Sequence, residues 1–302
     1  MKEIYRKENS KEPDLQDLSS VLESAYERFK LLDESGVEVV SQGKGFGLLG
    51  EDTEIRADKY MGEVLVEEIA KAFSGKPLVI EVEGAGKFFV DGERETGEGN
   101  YYVVVDPLDG SLNYKTKGET LGLPYSSVIT VFDKAKPTFT DCRLAGVVDL
   151  RSGDVWTAER GKGCFLNGNP CKTSGRQEVD LLNGIVMAEM YYPENREMVS
   201  GIFGYKKGWL RNPGSAAYEM AMVASGNVDA FICDRQKSHE LGAAYLLVKE
   251  AGGEILDHSG EVLDERAYDF ASQVPVVVAA STTMGEKIVE EIRHYKIGKS
   301  IM

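Results

Sequence analysis

Histidine and cysteine are scarce in this chain. Its 302 residues hold three histidines and four cysteines: His239, His258, His294, Cys142, Cys164, Cys171 and Cys233. The scattered histidines leave little material for a His-rich metal site or a Ser-His-Asp triad. The cysteines lack the close pairs of a zinc site, and we expect them to be reduced. Carboxylate chemistry is what remains for a reactive site.

Long hydrophobic runs are also missing. The longest lies near Val274 to Ala280 and is typical of a buried strand, since a bilayer span needs about 18 apolar residues. The first residues, MKEIYRKENSKEPDL, are too polar for a secretory signal. We therefore expect no membrane association and a cytoplasmic location.

Positive charge is in deficit. The sequence has 35 Lys and Arg against 50 Asp and Glu, which gives a net charge of −15. This balance disfavours attraction to a nucleic-acid backbone or an anionic membrane, so neither is expected as a partner. An anionic substrate would require a bound cation, helix N-terminal amides or a few placed basic side chains.

The first part of the chain predicts helices around a strand. At 302 residues and 42% hydrophobic content, the chain is long enough for one large domain or two ordinary ones. Apolar residues spaced by three and four predict helices over residues 15–32 and 58–73. Five glycines in residues 36–50 predict a loop with one or two strands. A strand over residues 78–82 precedes a polar segment, residues 84–99, which predicts a hairpin or flap.

The pattern of predicted strands and helices changes near residue 178. Short strands separated by turns predict an antiparallel meander over residues 101–105, 126–132, 145–149, 154–159 and 164–166. Alternating strands and helices are then predicted over residues 184–188, 216–225, 230–233, 241–251, 274–280 and 283–294. We expect an α+β half, residues 1–178, followed by an α/β half, residues 179–302.

The most informative segment is YYVVVDPLDGSLN, from Tyr101 to Asn113. Its apolar strand delivers Asp106 and Asp109 to a turn in which Pro107 fixes φ and Gly110 permits close backbone approach. Two carboxylates and a backbone carbonyl at a strand end suit a hard cation, Mg²⁺ rather than zinc. The amides after Gly110 could also hold a phosphate. The alternative is an ordinary solvated turn.

This motif resembles the central motif of the inositol monophosphatase superfamily, Mg²⁺-dependent sugar phosphatases. Further segments that resemble the family are Gly146–Asp149, Thr157–Gly168, Gly214–Ala217, Ala224–Phe231 and Ala243–Gly253. The similarity covers roughly residues 58–257. It implies a layered αβαβα sandwich, an active site between the two halves, and a homodimer or homotetramer.

The resemblance also implies a ligand set for two or three Mg²⁺ ions. The metal ligands would be Glu81, Asp106, the Leu108 carbonyl, Asp109 and Glu240. Glu81 would also orient the attacking water, which Asp58 and Ser111 would polarise through a hydroxyl relay. For each side chain the alternative is a surface carboxylate or a capping hydroxyl.

Two departures from the family pattern stand out. Where the family has a Trp-Asp pair, this chain has His239 and Glu240, and Glu240 is either a longer ligand or a first-turn acid favoured by the helix dipole. His239 is expected to be structural or exposed. Where the family commonly has adjacent acids, this chain has Glu81 and Glu83 on one face of a strand, so Glu83 could support the metal site.

Substrate contacts follow from the same resemblance. Gly110 and Ser111 would present amides to the phosphate, while Arg211, Ser215 and Arg235 lie near positions that approach the sugar or a second phosphate. Asp234 lies beside them, and an exposed ion pair is the alternative for Arg235.

The predicted function is a Mg²⁺-dependent phosphatase of fructose 1,6-bisphosphate or inositol 1-phosphate. Two alternatives stay open: a 3′-phosphoadenosine 5′-phosphate phosphatase, and a non-catalytic homologue that binds metal and a phosphorylated ligand. Glu240 and Val82 are the departures that keep the second alternative open.

Overall fold

A computed structural model describes residues 12–32, 38–43, 52–91, 101–116, 122–179, 184–203 and 209–301. Most of the glycine-rich stretch and residues 92–100 of the predicted flap lie outside these ranges. The helices are α1 (Leu15–Phe29), α2 (Arg56–Ala72), α3 (Ser111–Lys115), α4 (Pro193–Phe203), α5 (Ala216–Ala224), α6 (Ser238–Glu250) and α7 (Thr282–Ile301). None of the helices in the described part of the chain has the length and apolar character to cross a bilayer.

Apolar spacing and capping explain the first two helices. In α1, Leu18, Leu22 and Ala25 lie on the buried face, and Asp14 Oδ1 accepts a hydrogen bond of 3.0 Å from Asp17 N. Helix α2 begins two residues before its predicted start. The periodic pattern therefore located both helices, and the polar first turns decided where they begin.

The first half of the chain forms a small hairpin and a large sheet. The strands are β1 (Val39–Gly43), β2 (Asp52–Ile55), β3 (Leu78–Val82), β4 (Gly86–Val90), β5 (Tyr101–Asp109), β6 (Ser126–Phe132), β7 (Cys142–Asp149), β8 (Val155–Glu159), β9 (Gly163–Leu166) and β10 (Asn169–Cys171). Strands β1 and β2 pair with each other, and the large sheet has the order β10-β9-β8-β7-β6-β5-β3-β4. Its pairs are antiparallel, as the meander predicts, except for the parallel pair β3–β5.

A second sheet forms from later residues. Its strands are β11 (Ile185–Ala188), β12 (Trp209–Arg211), β13 (Ala230–Lys237), β14 (Glu254–Asp257) and β15 (Gln273–Ala279). They have the order β12-β11-β13-β15-β14, in which β11 runs parallel to β12 and β13. The sequence did not predict α4, β12 or β14, and it ended β13 four residues early.

The large sheet separates two hydrophobic layers. On one face, Val103 and Ile129 belong to a cluster with Leu22 of α1 and Met61 of α2. On the other face, Val104 belongs to a different cluster. Because successive side chains of a strand point to opposite faces, the unbroken apolar run of β5 serves both layers.

Helices α5 and α6 fill the space between the two sheets. Their Met220 and Leu247 share a hydrophobic cluster with Phe231 of β13. On the far face of the second sheet, α4 and α7 contribute Val199 and Ile288 to a third cluster. The layers therefore run helix, sheet, helix, sheet, helix, and the predicted αβαβα sandwich is confirmed.

Candidate active site

Strand β5 ends in the two aspartates of the motif. Its pairing with β6 is regular up to Asp106, loses register, and resumes where Asp109 pairs with Ser126. Pro107 has no N–H to give to the ladder, so a regular strand cannot continue through it. Leu108 N instead donates to Asp106 Oδ1 at 3.0 Å. The irregularity lets both aspartates reach one cluster.

Gly110 turns the chain from β5 into α3. Its φ is +80°, and a Cβ placed there would lie 3.0 Å from Ser215 Cβ. Any other residue would therefore be strained and would crowd the loop before α5. Asn113 reinforces this approach, since its Nδ2 donates to Pro213 O at 2.8 Å. The turn after β5 is thus held against the second half of the chain.

Three buried carboxylates converge at this point. Asp106, Asp109 and Glu240 each offer an oxygen, and these oxygens lie within 4.8 Å of one another. Burial, reinforced by the neighbouring carboxylates, raises the pKa of Asp106 well above its usual range. Burial and then the charge of Asp109 raise the pKa of Glu240 to about 8. We call these three side chains the carboxylate cluster.

The carboxylate cluster fits a hard divalent cation. Asp106 is 1% exposed, and its Oδ2 makes no hydrogen bond with any described residue. A buried carboxylate oxygen without a partner is costly unless a cation binds it. An all-oxygen donor set is what Mg²⁺ prefers. The cluster therefore has both the unused ligand atom and the donor chemistry of such a site.

Asp109 is oriented by the N-terminus of α5. Its Oδ2 accepts from Ser215 Oγ at 2.6 Å, from Ala217 N at 2.9 Å and from Ser126 Oγ at 3.3 Å. These bonds oppose the effect of burial, which nevertheless raises the pKa of Asp109. They leave Oδ1 free of hydrogen bonds from described residues. The structure thus places Ser215 behind the aspartate, with its hydroxyl directed at the carboxylate.

A second group overlaps the first at Asp106. Glu83, Asp106 and His239 offer ligand atoms within 4.8 Å of one another. His239 Nε2 lies 3.2 Å from Glu83 Oε1 and 4.0 Å from Asp106 Oδ2. Lys237 Nζ donates to Glu83 Oε1 at 2.8 Å. We call Glu83, Asp106 and His239 the histidine group.

The environment of Glu83 differs from that of its neighbours. Burial alone would raise the pKa of Glu83, but the charges of His239 and Lys237 outweigh burial and hold that pKa well below its usual range. Lys237 is the last residue of β13 and His239 is the second of α6. Two basic side chains therefore enter the site from one strand-to-helix junction.

The structure does not bring Glu81 to either group. Glu81 accepts a hydrogen bond from the Tyr102 hydroxyl and lies 3.2 Å from Lys87 Nζ. It shares a strand face with Glu83 but lies two residues earlier, which sets it back by about 7 Å along β3. Glu83 stands at the strand end, where its N–H donates to Val105 O at 3.0 Å. The Glu placed beside Asp106 is therefore Glu83, not the predicted Glu81.

The other residues of the predicted relay flank the motif. Leu108 is buried between the two aspartates, and Ser111 is the half-buried first residue of α3. Asp58 caps the N-terminus of its own helix. Gly62, one turn later, packs close to Pro107, since a Cβ there would lie 3.5 Å from Pro107 Cγ. Helix α2 therefore runs beside the motif, and the roles assigned to Asp58 and Ser111 stay predictions.

The two predicted substrate arginines have different settings. The Arg211 guanidinium lies 5.6 Å from the centre of the Trp209 ring, on the edge strand β12. The Arg235 guanidinium lies 5.4 Å from the centre of the Tyr192 ring and 4.0 Å from the Asp234 carboxylate. Arg235 is exposed, and burial raises the pKa of the neighbouring Tyr192.

Lys237 was missed by the sequence analysis, and His239 was expected to be structural or exposed. The structure buries His239 beside the site, with its ring 5.2 Å from that of Phe270. The available signal was the spacing Lys237-x-His239-Glu240, in which three polar side chains precede an apolar helix. A polar run of this kind predicts a loop unless the strand before it is known to continue.

The profile of the inositol monophosphatase family matches residues 16–296. The chain belongs to this family, and the prediction of a metal-dependent phosphatase is confirmed at that level. It is 28% identical over 221 residues to the fructose-1,6-bisphosphatase/inositol-1-monophosphatase of Methanothermobacter thermautotrophicus, which covers 72% of this chain and 76% of that protein. It is 30% identical over 207 residues to the Nus factor SuhB of Escherichia coli, covering 67% and 71% respectively. The fold matches that of the Thermotoga maritima IMPase with a TM-score of 0.72 at 21% identity, covering 94% of this chain and 98% of that chain.

Proposed function

We propose that the protein hydrolyses the phosphate monoester of a sugar or cyclitol, with fructose 1,6-bisphosphate and inositol 1-phosphate as the substrates to test first. The carboxylate cluster carries the proposal, because it brings three buried acids together and Asp106 keeps one oxygen without a hydrogen bond from a described residue. The archaeal relative named for both activities supports the choice of substrates.

Asp106, Asp109 and Glu240 would hold Mg²⁺, with the Leu108 carbonyl as a further oxygen ligand. When bound, the cations supply the positive charge that activates water and offsets the charge of the phosphate. Without them, the carboxylates would repel an anionic ester. Ser215 and the amide of Ala217 keep Asp109 oriented throughout, because their hydrogen bonds fall on the other oxygen.

Glu83 takes the role that the resemblance gave to Glu81. Its position at the end of β3, within ligand distance of Asp106, supports this assignment. Gly110 and Ser111 would offer amides to the phosphate, and the Ser111 hydroxyl with Asp58 would orient the water. The exposed Arg235, on the strand that leads into Lys237 and Glu240, would contact the sugar or a second phosphate.

The test is phosphate release from a substrate panel, with Mg²⁺ and with chelator. The panel contains fructose 1,6-bisphosphate, inositol 1-phosphate and 3′-phosphoadenosine 5′-phosphate. We expect Mg²⁺-dependent release from one of the first two and loss of release in Asp106→Asn and Asp109→Asn. Glu286→Gln, which removes an exposed charge on α7, is the matched control and should retain the activity. Chelator-resistant release would contradict the proposed chemistry.

A second candidate is a binding protein without turnover. The similarity to a protein named Nus factor SuhB favours it, as do Lys237 and His239, which place positive charge where the resemblance implies cations. A folded protein that binds Mg²⁺ but releases no phosphate from the panel would support this candidate. Turnover of any ester in the panel would exclude it.

A further inference from the structure

His239 is a buried histidine that, unlike the similarly buried His258, lies beside the carboxylates of the site. Its side chain is 7% exposed, yet neither ring nitrogen makes a hydrogen bond with a described residue. Buried polar nitrogens normally have a partner, and the exceptions call for an explanation. The ring lies 5.2 Å from the Phe270 ring at an interplanar angle of 35°, so packing rather than hydrogen bonding orients it.

The unbonded nitrogen faces two carboxylates. Nε2 lies 3.2 Å from Glu83 Oε1 and 4.0 Å from Asp106 Oδ2, without hydrogen-bond geometry to either oxygen. The Asp106 oxygen is itself one of the buried atoms without a partner. The ring nitrogen and the unbonded Asp106 oxygen are therefore 4.0 Å apart, a separation that two ligands of one ion can have.

The two groups differ in donor chemistry. The carboxylate cluster offers oxygen alone, whereas the histidine group offers two carboxylates and an imidazole. Oxygen ligands suit Mg²⁺, while imidazole suits Zn²⁺ and other transition-metal ions. The Trp that the family has at this place carries no such ligand atom, so the imidazole is a feature of this chain and not of the resemblance.

We propose that His239 is a metal ligand, and that the position formed by Glu83, Asp106 and His239 selects a transition-metal ion such as Zn²⁺ or Fe²⁺ over Mg²⁺, with paramagnetic Mn²⁺ as the probe ion that reports the ligand. The inference rests on the proposed function, because both ion positions share Asp106. The protein would then hold two different ions, Mg²⁺ in the carboxylate cluster and a transition-metal ion beside it.

The competing explanation is an ion pair without a metal. Lys237 and His239 both approach Glu83 Oε1, and together they could neutralise it permanently. In that case the imidazole would never contact a bound ion. The two explanations differ in one observable, which is direct magnetic coupling between the bound metal and a ring nitrogen.

The experiment uses the full chain freed of metal and loaded with one and then two equivalents of Mn²⁺ in excess Mg²⁺. Electron spin echo modulation should show a ¹⁴N ligand on Mn²⁺ in the unmutated protein. His239→Phe, which keeps the ring on Phe270, should abolish the modulation. His294→Gln, which removes an exposed histidine on α7, should leave it unchanged. Absence of nitrogen coupling at both loadings would overturn the proposal.

Affinity gives a second measurement. By calorimetric titration, His239→Phe should weaken Mn²⁺ binding on the order of tenfold at one position and leave Mg²⁺ binding within about twofold. Equal losses for both ions would contradict the proposed selectivity. If the variant fails to fold, labelling the unmutated protein with ¹⁵N-histidine tests the same ligand, because the modulation frequency must change with the isotope.

Failure of this inference and failure of the proposed function are distinguishable. Phosphate release with Mg²⁺ alone, without nitrogen coupling to Mn²⁺, would overturn the histidine ligand and leave the phosphatase intact. Nitrogen coupling without release of phosphate from any ester would support the ligand and reject the catalytic role.

Discussion

The carboxylate cluster and Glu83 differ in how the cost of burying a negative charge is met. Asp106, Asp109 and Glu240 are buried beside one another, and the pKa of each is raised. Glu83, a few ångströms away, has a lowered pKa because Lys237 and His239 supply positive charge. The difference teaches that acids in one site are not equivalent in the metal-free protein: burial dominates the pKa of the three cluster acids, whereas the basic side chains paired with Glu83 outweigh its burial.

The largest effect is expected from Asp106→Asn, which breaks the carboxylate cluster. Mg²⁺-dependent phosphate release should fall at least roughly a hundredfold, as for loss of a group that stabilises transition-state charge. Without metal, the free energy of unfolding at pH 8 should rise, because burial and the neighbouring carboxylates penalise the ionised form of Asp106 and the neutral amide avoids that penalty. Chemical denaturation and phosphate assays on the same preparations check both. A variant that is both active and less stable would contradict the comparison.

His258 shows the effect of burial on a pKa without the carboxylates of the site. Burial lowers the pKa of His258 from 6.5 to about 4. Between these values the unfolded chain is protonated and the folded chain is not, so the free energy of unfolding should decrease as the pH falls from 6.5 to 4. The loss amounts to about 3 kcal/mol at most.

Denaturation curves from pH 7.5 to 4 would measure this loss. The matched comparison is His258→Gln, in which the carboxylates still titrate but the histidine contribution is gone. Stability curves of the same slope in both proteins would rule out the assigned pKa.

Adding metal tests the carboxylate cluster through the stability of the folded protein. Mg²⁺ at a hundred times its dissociation constant should stabilise the folded protein by about 2.7 kcal/mol. Glu240→Gln should lose most of this gain, while the surface variant Glu286→Gln should keep it. Thermal unfolding with and without chelator provides the readout, and an undiminished gain in Glu240→Gln would remove Glu240 from the ligands.

The smallest effect concerns the internal cation of Glu83. Lys237→Met should reduce the free energy of unfolding by about 1 kcal/mol, because it leaves a half-buried carboxylate with less compensation. Lys287→Met removes a more exposed ion pair with Glu178, of 3.1 Å, and should change little. Equal effects of the two substitutions, measured in urea, would show that Glu83 does not depend on Lys237.

The part of the site predicted from the sequence is the part that is local in the sequence. Asp106 and Asp109 are three residues apart, after a strand whose apolar run is unmistakable, so their convergence could be expected. The choice between Glu81 and Glu83 depends on the parallel register of β3 on β5, in which Val82 lies opposite Val105. One strand cannot reveal which of two glutamates on the same face reaches the end of its neighbour.

The basic side chains were missed for a related reason. The sequence ended a strand at residue 233 and began a helix at residue 241, which left the polar residues between them unassigned. In the structure β13 continues to Lys237 and α6 begins at Ser238. Backbone pairing with β15 sustains the strand through residues whose side chains give no apolar pattern. Tertiary hydrogen bonding therefore overrode the local signal.

The hydrogen bonds of Asp109 and Asn113 link the geometry of the site to the packing of the two halves of the chain. Asp109 accepts hydrogen bonds from Ser215 and Ala217, and Asn113 donates to the carbonyl of Pro213, all about a hundred residues later in the chain. A polypeptide released after its first sheet would already contain both motif aspartates, but it would lack the bonds from Ser215 and Ala217 to Asp109 and the third carboxylate, Glu240. The three-carboxylate arrangement therefore forms only when the last half of the chain packs on the first, so assembly of the fold and assembly of the site are one event.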